Sequence, residues 1–313
     1  METEIHVSCC SQKPVIDMPS GEKLCRNHFT EYFEAKVLKT IRQFELVGKS
    51  ENLGVALSGG KDSLTVLSLL NNLAVQNPKI KLTALAIDEG IKGYRENTLK
   101  DAESFCSKKG IELKIFSYKE EFGFTLDEML KILETKPCTI CGIFRRYLLN
   151  KKSREMGFTK IATGHNLDDE CQSIMMNQFR NSIKESARLG PLTGVAKNKI
   201  FVPRIKPLYL CTEKEVAAYA FINGFIKDFN ECPNSKFSYR AKIRDMLNDM
   251  ENSFPGTKYS IVNSFLQILP ELKKNFSFGE VQKCCRCSEP CSNDICNACF
   301  YLEKIHLVSS KIK

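Results

Sequence analysis

The sequence has 313 residues, of which 42% are hydrophobic and 27% are charged, and its formal net charge is +9. This length suits one large domain with small appendages. No apolar run approaches the roughly 20 residues that cross a bilayer, and the polar N-terminus lacks the apolar core of a signal peptide. We therefore expect a cytoplasmic protein with no membrane partner, and the basic excess suits a polyanion such as RNA.

Strand-like and helical patterns alternate along most of the chain. Strands are predicted at 53–57, 81–88, 112–118 and 160–164. Helices are predicted at 29–44, 62–76, 95–109, 126–157 with a break near Pro137, 167–180, 212–224, 239–251 and 258–274. Residues 181–211 contain several prolines and are expected to be irregular. The alternation predicts an α/β fold, a parallel sheet with helices on both faces.

The same patterns suggest four regions. Residues 1–28 form an N-terminal metal module, and residues 29–210 form the domain with the parallel sheet. Residues 211–282 form a helical extension, and residues 283–313 form a second metal module. Ligands of such sheets bind beyond the carboxyl ends of the strands, where the loop at 58–63, Asp88 and His165 are expected.

A glycine turn joins the first strand of the domain to a helix. Its residues are Ser58, Gly59, Gly60, Lys61, Asp62 and Ser63. Adjacent glycines let backbone N–H groups approach an anion, and the following helix start directs its positive dipole at that anion. The loop is not a Walker A motif, because Asp62 replaces the Ser/Thr that would bind magnesium. The alternative is a helix-opening turn with an incidental lysine.

Fifteen cysteines are unusual for a chain in a reducing cytoplasm, where thiolate metal sites are more common than disulfides. Cys138 and Cys141 form a pair just after Pro137, and Cys232 precedes a proline. A lone pair of this spacing is compatible with half a zinc site, a redox pair or ligands of an iron–sulfur cluster. Three thiolates would leave one iron of a 4Fe–4S cluster without a protein ligand, open to substrate or sulfide. Cysteines 106, 171 and 211 are predicted to be core thiols.

Cysteine pairs also mark both ends of the chain. At the C-terminus, Cys284, Cys287, Cys296 and Cys299 have the spacing of a closed four-thiolate zinc site, and cysteines 285 and 291 are expected to be bystanders. At the N-terminus, Cys25 and His28 supply half a zinc site. His6 and Cys10 are the favoured partners, Cys9 is the alternative, and a free thiol cluster in a disordered arm is the other interpretation.

A polar segment at 163–170 follows the last predicted strand and opens a helix. Asp168 or Asp169 could bind Mg²⁺ near the phosphates or orient a reacting uracil. Asn166 or Asp168 could instead cap the helix. Arg145, one helical turn after Cys141, could neutralise phosphate beside the cluster, or it could lie on a solvated helix face. The basic stretch 204–206 could contact RNA backbone or be simple surface charge.

Together these motifs resemble the tRNA 2-thiouridine synthetases of the TtuA/NcsA type, which are PP-loop ATP pyrophosphatases related to the cytosolic wobble-thiolation enzymes. The resemblance covers nearly the whole chain: the loop, the three internal cysteines, the polar segment and both metal modules occur in the family's order. One departure lies at the N-terminus, where the family's usual Cys-x2-Cys is replaced by His6, Cys9 and Cys10.

The resemblance implies an enzyme that adenylates the C2 oxygen of a tRNA uridine and replaces it with sulfur. ATP phosphates would lie on residues 58–63, with Ala56, Ile87 and Gly164 next to the nucleoside. The implied cofactors are ATP, Mg²⁺, a 4Fe–4S cluster and two Zn²⁺. Sulfur would come from a carrier protein or from sulfide, the wobble uridine is favoured as the target, and a homodimer is expected.

Other functions remain open at this stage. Thiolation of a T-loop uridine or of cytidine uses the same chemistry. A PP-loop ligase or amidotransferase would account for ATP but not for three internal thiolates. An RNA-binding zinc protein without catalysis would account for the charge and the two ends, but not for the glycine loop.

Overall fold

The computed structural model describes residue 10 and residues 12–18, 21–193, 201–226, 232–234, 238–276 and 282–311. Its strands are β1 (Pro14–Asp17), β2 (Lys23–Cys25), β3 (Glu51–Ala56), β4 (Ile80–Asp88), β5 (Glu112–Ser117), β6 (Lys160–Ala162), β7 (Leu192–Thr193), β8 (Arg204–Ile205), β9 (Gln282–Lys283) and β10 (Pro290–Cys291). Strands β3 to β8 form one sheet in the order β5-β4-β3-β6-β8-β7. Neighbouring strands within this sheet are parallel, except that β7 runs antiparallel to β8 at the edge.

Helices in the described ranges cover this sheet. They are α1 (Arg26–Gln43), α2 (Lys61–Gln76), α3 (Arg95–Lys109), α4 (Tyr118–Phe122), α5 (Leu126–Ile132), α6 (Pro137–Glu155), α7 (Leu167–Phe179), α8 (Ile183–Ser186), α9 (Glu213–Ile222), α10 (Tyr239–Ser253), α11 (Thr257–Asn275) and α12 (Asn297–Lys311). Their starts follow local chemistry. Thr125, Asn166 and Thr212 each form a capping box with the acidic residue three positions later, and Pro137 opens α6.

Side chains of successive strand residues enter different cores, as the alternation of a strand requires. Ala84 belongs to a core with α1, α2, α3 and α9, whereas Leu85 and Ile87 belong to a core with α5, α6 and α12. A third core joins α7, α10 and α11. The predicted α/β fold with a parallel sheet and helices on both faces is therefore confirmed.

The predicted elements agree with the structure to within a few residues, apart from the stretch 181–211. That stretch was expected to be irregular, but it contains α8 and the two-residue strands β7 and β8, which extend the central sheet. Strands this short leave no hydrophobic period in the sequence. Among the described residues, no helix is both long and apolar enough to cross a membrane.

Candidate active site

The glycine loop lies between β3 and α2, at the carboxyl edge of the sheet. Its hydrogen bonds fold it onto its own last residue: the Ser63 hydroxyl accepts the Ser58 N–H at 3.2 Å and donates to the Gly60 carbonyl at 3.0 Å. Gly59 is buried, yet its N–H has no hydrogen-bond acceptor in the part of the chain that the structure describes. An N–H without a protein acceptor, in a glycine turn that opens a helix, is available to an anion, so the loop fits a phosphate group.

Two glycines allow the close contacts around this loop. Gly59 has φ of +85°, and a Cβ there would lie 2.1 Å from the Thr98 carbonyl oxygen of α3. At Gly164, after β6, a Cβ would lie 2.9 Å from the backbone at Asp62 and Ser63. The segment after β6 is therefore pressed against the start of α2, which puts Gly164 at the predicted nucleotide site.

The charged residues of the loop are held by partners from α7 and α9. Lys61 forms ion pairs with Asp62 at 2.9 Å and with Glu213 at 3.2 Å. Burial opposes the charge on Lys61, but the two carboxylates outweigh it and raise its pKa. The Asn166 amide donates to Asp62 at 3.1 Å. An anionic ligand would therefore compete with these two carboxylates for Lys61.

Asp168 and Asp169 lie in different surroundings. Asp168 is buried, accepts the Glu213 N–H at 2.7 Å and forms a short ion pair with Lys258 of α11. Both of its oxygens thus have protein partners. Asp169 forms the capping box with Asn166, and its carboxylate lies 3.7 Å from Arg240. Burial raises the pKa of Asp169 to about 6.

Beside the loop is a cavity of about 150 Å³. About five water molecules occupy this volume in liquid water. Both signs of charge line it, which suits a phosphate together with its metal ion. The lining residues are Lys61, Asp62, Asn166, Asp169, Gln172, Glu213, Ser238, Arg240, Ala241 and Arg244. Asp169 therefore reaches the cavity, and Asp168 does not line it.

The three internal cysteines interact electrostatically, Cys232 with both Cys138 and Cys141, but their sulfurs do not all lie within 4.8 Å of one another. Cys138 and Cys141 are the second and fifth residues of α6, and Cys138 Sγ lies 3.5 Å from the carbonyl oxygen of Asn234, two residues after Cys232. Cys138 is exposed and the other two are half-buried. Burial raises the pKa of Cys141 to about 11, with Glu89 and Cys232 adding to the rise and Arg145 opposing it. Three soft donors with an exposed side fit the predicted cluster, with one iron left open.

Cations surround His165 on the sheet side of the site. Desolvation by the surrounding protein lowers the pKa of His165 to about 3, and Lys206, Arg240, Arg145 and Arg204 lower it further. This lowering favours the neutral form of the imidazole, whose Nδ1 lies 2.9 Å from the Thr163 hydroxyl. Burial and the two arginines of α6 also lower the pKa of Arg204 to about 10. Such a concentration of positive charge favours a polyanionic ligand.

The predicted nucleoside contacts lie next to the loop. Ala56 ends β3, and Ile87 is the penultimate residue of β4. The Ile87 carbonyl already accepts hydrogen bonds from Arg95 Nε at 2.9 Å and Arg95 Nη2 at 2.5 Å.

Both predicted metal modules bring their ligands together. The sulfurs of Cys284, Cys287, Cys296 and Cys299 lie within 4.8 Å of one another, and so do the ligand atoms of Cys10, Cys25 and His28. Cys285 is exposed, and the Cys291 thiol contacts the Asn293 carbonyl at 2.8 Å. His6 and Cys9 lie outside the described residues. Cysteines 106, 171 and 211 are buried in the cores.

Comparison with known proteins gives one consistent result. The PP-loop domain family matches residues 29–251. The tRNA 2-thiolation protein NcsA of Haloferax volcanii is 34% identical over 92% of this chain and 95% of its own. The tRNA-5-methyluridine(54) 2-sulfurtransferase of Pyrococcus horikoshii is 36% identical over 88% of this chain and 86% of its own.

A solved structure agrees with these relatives. It is the U34-tRNA thiolase NcsA from Methanococcus maripaludis with its [4Fe-4S] cluster, which superimposes with a TM-score of 0.80 at 33% identity and covers 97% of each chain. The chain belongs to the PP-loop family of tRNA 2-thiolation proteins. The resemblance drawn from the motifs is thereby confirmed.

Several residues of this thiolation-family site were not predicted from the sequence. Glu213 forms an ion pair with Lys61, and Lys258 forms one with Asp168. Arg240 of α10 donates a hydrogen bond to Gln172 of α7. Glu89 and Arg95 connect the loop to α6. Of these residues, only Glu89 could have been predicted from the sequence, because it directly follows a predicted strand whose carboxyl end lies at the site.

Proposed function

We propose that this protein is a tRNA uridine 2-sulfurtransferase that uses ATP and a 4Fe–4S cluster held by Cys138, Cys141 and Cys232. The observation that carries the proposal is the connection between its two half-sites. Arg95 binds the loop carbonyl of Ser58, and Glu89 bridges Arg95 and Arg145, one turn after Cys141. Because these contacts connect the nucleotide loop to the three cysteines, the two half-sites suit a single reaction that uses both ATP and the cluster.

The first step activates the uracil. The C2 oxygen attacks the α-phosphorus of ATP, and the bond to the pyrophosphate breaks. The unpaired Gly59 N–H and the α2 N-terminus would bind the departing pyrophosphate, and Lys61 would exchange its carboxylate partners for phosphate. Mg²⁺ would be held by Asp62 and Asp169, since the oxygens of Asp168 already serve Lys258 and α9.

The second step replaces oxygen by sulfur. When bound, the cluster supplies a sulfur nucleophile at its open iron. A C–S bond forms at C2, the C–O bond breaks, and the oxygen leaves as part of AMP. Arg145 and Arg204 would neutralise the phosphate of the leaving AMP and of the RNA, since both lie near His165. Lys206 is buried and forms an ion pair with Glu170 at 2.7 Å, so we do not assign it to this role. The lowered pKa of His165 argues against a role for this residue as a general acid near neutral pH.

The remaining assignments complete the proposal. One Zn²⁺ would bind the four C-terminal thiolates, and a second would bind Cys10, Cys25 and His28 together with His6. The tRNA wobble uridine is the proposed target, supported by a U34 thiolase that matches this chain over 97% of its length. Sulfide or a sulfur-carrier protein would supply sulfur to a cytoplasmic homodimer.

Two sets of variants test the two half-sites. Replacing Cys138, Cys141 or Cys232 with alanine should remove the cluster iron and the thiolation activity but keep the zinc. Cys285→Ala, at an exposed cysteine, should change neither the iron content nor the thiolation activity. If all three variants remain active, the cluster assignment is wrong.

The ATP half is tested through its products. Ser58→Ala, Lys61→Ala and Asp62→Ala should each abolish adenylation, and the unmodified protein should release AMP and pyrophosphate. Release of ADP and phosphate would mean attack at the γ-phosphorus and would refute the PP-loop chemistry.

A further inference from the structure

Arg95 is a buried arginine at the start of α3, and all of its polar contacts are made within the protein. Its side chain is 5% exposed. Its Nη1 donates to the Ser58 carbonyl at 2.6 Å and to the Thr98 hydroxyl at 3.1 Å, while Nε and Nη2 both reach the Ile87 carbonyl. The guanidinium therefore joins the end of β4 to the nucleotide loop.

The contact with Ser58 determines where the loop directs its donor. The peptide unit is planar and trans, so the carbonyl of Ser58 and the N–H of Gly59 point in opposite directions. Arg95 and Thr98 lie on the carbonyl side of that peptide. Arg95 thereby turns the Gly59 N–H away from α3, toward the proposed phosphate position.

Glu89 links this arrangement to the cysteine triad. Its carboxylate is 7% exposed, with Oε2 at 3.0 Å from Arg95 Nε and Oε1 at 3.8 Å from Arg145 Nη1. One buried negative charge is therefore shared between two cations. Arg145 and Glu89 also act on Cys141 electrostatically, in opposite directions.

We propose that Arg95 is a positioning residue that orients the nucleotide loop, and that Glu89 couples this loop to the thiol triad by serving as the common counter-ion of Arg95 and Arg145. The proposal rests on the function proposed above and adds two residues to it. Arg95 acts through Ser58, and Glu89 acts through Arg95 and Arg145.

The first test is equilibrium binding of an α,β-methylene ATP analogue, which cannot be cleaved between its α- and β-phosphates. Arg95→Lys should weaken binding at least tenfold, because an ammonium lacks the planar fork that holds two carbonyls at once. Glu89→Gln keeps the side-chain shape and removes the charge, so a weakening of about threefold is expected. This second variant keeps the test valid if Arg95→Lys does not fold.

The second test is the electron paramagnetic resonance spectrum of the reduced, reconstituted cluster. Glu89→Gln should shift this spectrum, because Arg145 loses its counter-ion. Glu51→Gln is the matched control: Glu51 is 8% exposed and pairs with Lys160 at 2.9 Å, at the opposite end of the sheet. It should lose similar stability but change neither readout.

The outcomes are distinct. If the unmodified protein does not bind the analogue, the proposed function itself fails. If it binds but Arg95→Lys and Glu89→Gln bind as tightly, the positioning role is refuted. An unchanged cluster spectrum in Glu89→Gln, or an equal change in Glu51→Gln, would refute the coupling.

Discussion

Gly59→Ala is the substitution whose effect follows most directly from the geometry. A Cβ at this position would lie 2.1 Å from the Thr98 carbonyl oxygen, 0.9 Å inside the 3.0 Å limit of real Cβ contacts. The loop and α3 must therefore separate. A left-handed conformation costs alanine about 1–2 kcal/mol, and forced repacking adds about 1–3 kcal/mol. We expect the free energy of unfolding to fall by about 2–5 kcal/mol.

Gly123→Ala separates the two contributions. Gly123 has φ of +80°, but a Cβ there would meet nothing within 4 Å. This control should lose only the conformational cost, about 1–2 kcal/mol. Urea denaturation gives both values, and calorimetric titration with the ATP analogue gives the functional effect: at least tenfold weaker binding for Gly59→Ala and no change for Gly123→Ala. Equal stability losses, or normal nucleotide binding by Gly59→Ala, would refute the argument.

Three further predictions concern other parts of the molecule. Lys258→Met should lower the free energy of unfolding by about 3–5 kcal/mol in urea titrations, because Asp168 is left as a buried charge without its cation. The pKa of His165 is lowered in the folded protein, so below pH 6.5 the unfolded chain binds more protons than the folded one. The stabilising contribution of His165 is therefore present above pH 6.5 and is lost as the pH falls toward 3. His165→Gln should flatten the plot of unfolding midpoint against pH over that range. Cys296→Ser should release one zinc per chain by mass spectrometry, whereas Cys285→Ser, at the exposed cysteine next to Cys284, should release none.

Local chemistry explains why most of the fold could be predicted, and why the residues proposed for the two half-sites could be selected from the sequence. The glycine loop, the cysteine spacings and the strand–helix alternation each lie within a few neighbouring residues. The carboxyl-edge rule then places the loop and the segment after β6 together. Asp168 shows the limit of such reasoning: it was grouped with Asp169 as a candidate magnesium ligand, but only Asp169 lines the cavity.

Long-range hydrogen bonds and ion pairs account for the site residues that the sequence did not reveal. Arg95 reaches Ser58 across 37 positions, and Lys258 reaches Asp168 across 90. No periodicity or spacing encodes such pairings, because they depend on how α3 and α11 pack against the loop and α7. The strands β7 and β8 were missed for a different reason, since two residues are too few to show alternation.

The most direct test of the account is an anaerobic reaction of the cluster-loaded protein with unmodified tRNA, ATP and sulfide, followed by mass spectrometry of the nucleosides and analysis of the nucleotide products. We predict 2-thiouridine at the wobble position, formed together with AMP and pyrophosphate. Sulfur at position 54 alone would overturn the choice of target. No thiolated nucleoside, from protein shown to bind both the cluster and ATP, would contradict the central claim.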